Sequence, residues 1–251
     1  MARLPRPTPP RGLIFLASAW LMVSWGMTIG VRPPVQMHAA SYTPAVRLLL
    51  LSIMLGCGVA WPLVRLSGSL RAWPIRQTIL DLLVLLCLAQ VVIWPLRLVT
   101  TWPPERSAAI DACLIGWSTA IAGLVAAGSI PARRAVGWLR TAAMIAVVLV
   151  VGGVPFLTVL GGASLPFTGR PALSELSPEA SAWWFTAGSS PLTAIDALCS
   201  GGPTEPAAVE WQLVLRGWWV AAGCWILAVL MRSVVPRLDE ESAAETPSTE
   251  V

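Results

Sequence analysis

The sequence predicts an all-α protein: a polytopic bundle of six transmembrane helices, with two short outer helices between spans five and six. Three observations carry this. Of 251 residues, 56% are hydrophobic and 12% charged, about half the charged share of a soluble domain. Mean hydropathy is +0.71. Six apolar runs, each close to the 20 residues that a hydrocarbon core demands, are separated by connections rich in Arg, Pro and Gly. None alternates apolar with polar residues as barrel strands do, and a bilayer offers an open strand edge no partner.

Residues 1–12 form a basic N-terminal segment with Arg3, Arg6 and Arg11. The first span follows at about 13–31. It exceeds the h-region of a signal peptide and ends without a small-x-small cleavage site, so it is expected to stay uncleaved. The next spans are expected near 45–64, 79–98, 108–130, 141–160 and 211–231, within a membrane domain of residues 13–238. Four Trp-Pro pairs (at 61, 73, 94 and 102) read as headgroup anchors, because Trp favours that layer and Pro ends or starts a helix cheaply. With the N-terminus inside, eleven Arg fall on the inner side and six on the outer. This predicts both termini in the cytoplasm of a bacterial inner membrane.

The connection at 161–210 is the longest and lies outside on this threading. Ser177-Pro178-Glu179 and Ser190-Pro191 each read as an N-cap followed by proline at the first helical position. Gly188 and Gly201-Gly202 read as stops. Two short helices near 178–187 and 191–200 are therefore expected, lying on the surface at headgroup level. The tail 239–251 carries five acids and no base and is predicted to be disordered.

Composition narrows the function. All 17 basic residues are Arg, and neither Lys nor Asn occurs, as in a protein from a GC-rich, bacterial genome. Without the acidic tail the charge is a scattered +9, with no basic stripe for nucleic acid. The five Cys occur singly, His38 is the one histidine, and no metal-ligand or redox spacing appears. No phosphate-binding, dinucleotide or metallopeptidase motif is present, and the general-base inventory is almost empty. The chain is expected to be no enzyme and to hold no cofactor or metal.

Ionisable and polar groups at membrane depth are the functional candidates. Asp81 and Asp111 lie near the starts of their spans, where the helix dipole favours acids. Gln90 is the one large polar side chain deep in a span and sits on the face of span three opposite Asp81. Arg216 lies near the outer end of span six, where Asp111 or Asp196 could pair with it. Pro155 in Gly152-Gly153-Val154-Pro155 frees the carbonyl near Val151 and kinks span five, as in the interrupted helices of transporters. Gly26 with Gly30, Gly116 with Ala120, and Gly123 with Ala127 are small-residue pairs at helical spacing, suited to close helix packing or to a homodimer face.

Six spans, both termini inside and an outer helical pair before the last span resemble the membrane subunit of ABC-2-type exporters, as does the stretch Ser190-Pro191-Leu192-Thr193-Ala194-Ile195. That resemblance implies a permease-like subunit that dimerises and works with a separate ATP-binding subunit. The short, basic stretch from Arg65 to Gln77 departs from the acidic coupling helix of that family. A second function class stands beside it: a non-transporting anchor or scaffold subunit of a membrane complex.

Overall fold

A computed structural model describes residues 11–30, 39–68, 74–130, 136–160, 188–201 and 203–244. The described chain is helical and contains six helices long and apolar enough to cross a membrane. Helix α1 (Arg11–Trp25) runs into a π-helical turn, Gly26–Gly30. Helix α2 (Ala39–Leu55) continues through a second π turn, Gly56–Ala60, into α3 (Trp61–Ser67), so that Tyr42–Ser67 is one span. Then come α4 (Pro74–Leu96), α5 (Pro104–Gly128), α6 (Val136–Leu160), a short α7 (Pro191–Cys199) and α8 (Ala208–Ala244). The spans agree with those read from hydropathy to within a few residues at most ends.

Helix α5 is central, with eighteen residues buried on all sides, and α1 is peripheral, burying only Ser24. Because lipid tails are as apolar as Leu, helices in a membrane associate through close packing rather than hydrophobic exclusion. The α5–α8 contact is built that way. The two helices run parallel, with Gly116 and Gly123 of α5 facing Gly217 and Cys224 of α8. A Cβ on Gly116 would come within 3.2 Å of the Trp218 ring, and one on Gly217 within 3.1 Å of the Trp117 ring, so each tryptophan lies on the other helix's glycine. A Cβ on Gly123 would meet Cys224 Cβ at 2.8 Å. Trp225 Nε1 completes the seam by donating to the Thr119 carbonyl at 3.0 Å.

Several expectations change. Gly26 and Gly30 bound a π turn, and among the described residues a Cβ on Gly26 meets nothing within 4 Å while one on Gly30 reaches only Trp25 of its own helix, so this pair makes no close packing contact within the chain. Of the Trp-Pro anchors, Trp61 and Trp102 are buried in the core rather than standing at a headgroup layer, because the second span extends past Trp61 to Ser67. Helix α8 continues to Ala244, six residues into the segment expected to lack structure. The expected helix at 178–187 lies outside the described residues.

The seam predicts a sharp contrast between two glycines. Gly123→Leu is expected to destabilise the protein in detergent by about 2 kcal/mol through overpacking. Gly223→Ala, on a face of α8 where a Cβ meets nothing within 4 Å, should shift stability by less than about 0.5 kcal/mol. Thermal unfolding of the two variants checks this.

Candidate functional site: a short helix locked into one end of the bundle

Helix α7 is the feature that hydropathy did not place. Eight of its nine residues are buried, including Thr193, Asp196 and Cys199. It packs against α2, α5, α6 and α8, so it enters the bundle instead of lying on its surface as expected. Buried backbone at membrane depth must be satisfied internally, and so must the charges α7 brings with it. Three polar links do this, and a fourth joins α4 to α5 nearby.

The strongest link is Arg106, the third residue of α5, which is fully buried. Its guanidinium grips Glu210 with two parallel bonds, Nη1 to Oε1 at 3.0 Å and Nη2 to Oε2 at 3.2 Å. It also donates to the carbonyls of Leu198 at 2.7 Å and Thr204 at 2.8 Å. Glu210 in turn accepts the Ala207 N–H at 2.8 Å, one half of a capping box at the start of α8. Gly201 lies against the guanidinium so closely that any Cβ there would overlap it. One arginine thus joins α5, the end of α7, the turn after it and the start of α8.

The second link is an ion pair between Arg47 Nε of α2 and Asp196 Oδ1 of α7. Burial pushes the Asp196 carboxyl up from the usual carboxylate range, and the hydrogen bond and charge of Arg47 pull it back. Next to it, burial and the Asp196 charge push the Cys199 thiol up, which suppresses the reactive thiolate.

The third link answers the missing backbone donor in α6. Pro155 has no N–H to give the Val151 carbonyl. Ser190, at the N-cap position of α7, donates its hydroxyl to that carbonyl at 2.7 Å and makes no cap bond to its own helix. The fourth link joins two sequence candidates: Gln90 Nε2 of α4 donates to Asp111 Oδ1 of α5 at 2.6 Å. Both lie about 10 Å along their helices from the α7 end.

The candidates therefore do not form one site. Gln90 and Asp111 pair with each other. Asp196 pairs with Arg47 and not with Arg216, one of the partners open to it. Arg216 lies over Gly188 at the entrance to α7, its Cδ 2.9 Å from where a Cβ would stand. Asp81 belongs to the opposite end, where Arg65 Nε of α3 lies 3.5 Å from Asp81 Oδ2 and Gln77 donates to Oδ1 at 2.8 Å. The sequence reading missed Arg106, Glu210 and Arg47 as functional residues. A weak signal existed: Glu210 stands at the third position of α8, where a capping acid belongs. Among the described residues no group of His, Cys, Asp and Glu could hold a metal ion.

If Ser190 substitutes for the lost backbone donor, its value depends on Pro155. Ser190→Ala should cost about 1.5 kcal/mol by orphaning a buried carbonyl. In a Pro155→Ala background the backbone N–H returns, and the same substitution should cost less than about 0.5 kcal/mol. Thermal unfolding of the four proteins checks the coupling.

Against known proteins, the chain matches no family model, no curated protein and no solved structure; its own geometry marks it as a multi-pass helical membrane protein with a short helix bound into one end of its bundle.

Proposed function

We propose that this chain is the permease-like membrane subunit of an export system of the ABC-2 type, pairing with a second copy and driven by a separate ATPase. The observation that carries this reading is the meeting of a proline-containing span with a short buried helix, Ser190 Oγ on the Val151 carbonyl that Pro155 cannot bond. Transporters build their moving parts from such interruptions. Charged and polar groups at membrane depth are costly and mark pathways or switches, and here Arg47 pairs with Asp196 of α7 while Gln90 pairs with Asp111 between α4 and α5. The sequence holds no nucleotide-binding motif, so energy for transport would come from another chain. In the conformation described, Arg106, Asp196 and Glu210 are all buried, and this end is closed.

A second reading, a non-transporting anchor or scaffold, is favoured by that same closure and by the close α5–α8 seam. Motion separates the two. Cys199 is buried beside Asp196, so a variant keeping Cys199 as its single cysteine reports on α7. In membranes that contain the partner ATPase, a transport subunit should expose Cys199 to a small methanethiosulfonate reagent within minutes, at a rate that changes when ATP is hydrolysed. Protection for hours, unaffected by ATP, would reject transport and leave the scaffold.

A further inference from the structure

The polar links hold one end of the bundle, whereas α1 is attached by little. Trp20 Nε1 donates to the Ser52 carbonyl at 3.0 Å, and the Ser24 and Ser52 hydroxyls are 2.8 Å apart. Both contacts lie in the half of α1 away from the N-terminus. A Cβ on Gly56, in the π turn below Ser52, would strike the Trp20 ring at 2.7 Å, so Trp20 is seated against the backbone there. Below this clasp Leu13 and Ala17 of α1 are only partly buried against the core. A cavity of about 350 Å³ opens between Leu13, Leu16 and Ala17 of α1 and Ala60, Val64 and Leu85 of α3, α4 and the turn joining α2 to α3.

The walls decide what can enter. They are hydrocarbon apart from two indoles and the Cys57 thiol, itself a small apolar group. The Trp20 N–H is already given to Ser52, and the Trp61 nitrogen is shielded from the space. A cavity with no polar partner stays dry and takes apolar ligands, and this volume is within the range of ligand sites. A methylene is about the size of a water molecule, roughly 30 Å³, so a chain of about a dozen methylenes fits. The cavity is bounded by spanning helices, so the medium beside it is lipid. Two residues before the lining residue Leu13 stands Arg11, exposed at the first position of α1, whereas Arg65, one residue beyond Val64, is held by Asp81. No acid lies in the first turn of α1.

We propose that this cavity binds an anionic phospholipid, one acyl chain filling the wedge between α1 and α3–α4 and the phosphate resting by Arg11. The inference does not depend on the transport reading. Only the membrane setting is needed.

Thermal unfolding of the full chain, delipidated in mild detergent, tests it with dioleoyl phosphatidylglycerol and dioleoyl phosphatidylcholine as probes. The anionic lipid at saturating concentration should raise Tm by about 5 °C, and the zwitterionic lipid by less than half as much. Ala17→Phe, which fills the wedge, should abolish the shift, while Val23→Phe on the exposed face of α1 should retain it. Arg11→Gln should bring the two lipids level. Native mass spectrometry of the wild type should show one phosphatidylglycerol retained, a readout that survives if Ala17→Phe fails to fold. No retained lipid, equal shifts with both lipids in the wild type, or an undiminished shift in a folded Ala17→Phe would each overturn the proposal.

Discussion

The buried grip of Arg106 on Glu210 is the constraint on which the α7 end of this protein depends. A lone guanidinium or carboxylate at that position would be far from water and strongly destabilising, and breaking such a pair by removing one partner typically costs about 3–5 kcal/mol. Here the pair is two-pronged, and further donors of the arginine are met by the carbonyls of Leu198, Thr204 and Glu205. Satisfying Arg106 therefore fixes the path of the chain from residue 198 to residue 210. It also explains Gly201, which leaves room for the guanidinium. Once that path is fixed, α7 has a defined place, and Asp196 and Ser190 fall opposite Arg47 and the Val151 carbonyl. With Gln90 on Asp111 added, the polar links reach α2, α4, α5, α6 and α8.

The rest of the bundle follows a different rule. Along α5 and α8 the contacts are apolar and close, with glycine against tryptophan and glycine against cysteine, and at the far end Asp81 is held by Arg65 and Gln77. Such a seam depends on shape alone, since burial between helices gains nothing over burial in lipid. Helix α1 shares in neither device beyond its clasp on Ser52. Its looseness at one end and the polar lock at the other divide the molecule into a fixed body and a peripheral helix with an apolar wedge beneath it.

The spans were legible because the bilayer sets both the length and the composition of a crossing helix. The freed Val151 carbonyl opposite Pro155 was legible because the loss of an N–H is a property of the residue itself. What completed it was not: Ser190 reads from sequence as an ordinary N-cap, and nothing local says that its hydroxyl turns to a carbonyl 39 residues earlier. The burial of α7 was missed for a related reason. Leu192, Ile195 and Cys199 look like one apolar face, yet Ala194, Ala197 and Leu198 are buried too, and the one charge, Asp196, is met by Arg47, 149 residues away in sequence. Arg106 was weighed as one more charge in a topology census. Its pairing with Glu210 spans 104 residues, a separation over which no periodicity survives. Gln90 and Asp111 were each visible, but their contact depends on how α4 turns back into α5.

The most direct test of the role of Arg106 is hydrogen exchange across residues 191–199 in the wild type, in Arg106→Leu and in the double variant Arg106→Leu/Glu210→Leu. In the wild type these amides should exchange as slowly as those in the middle of α5. In Arg106→Leu they should lose protection by several orders of magnitude while the α5–α8 seam keeps its own, and the double variant should recover much of the loss because no uncompensated charge is left buried. Fast exchange across 191–199 in the wild type, or unchanged protection in Arg106→Leu, would contradict the dependence of α7 on this ion pair.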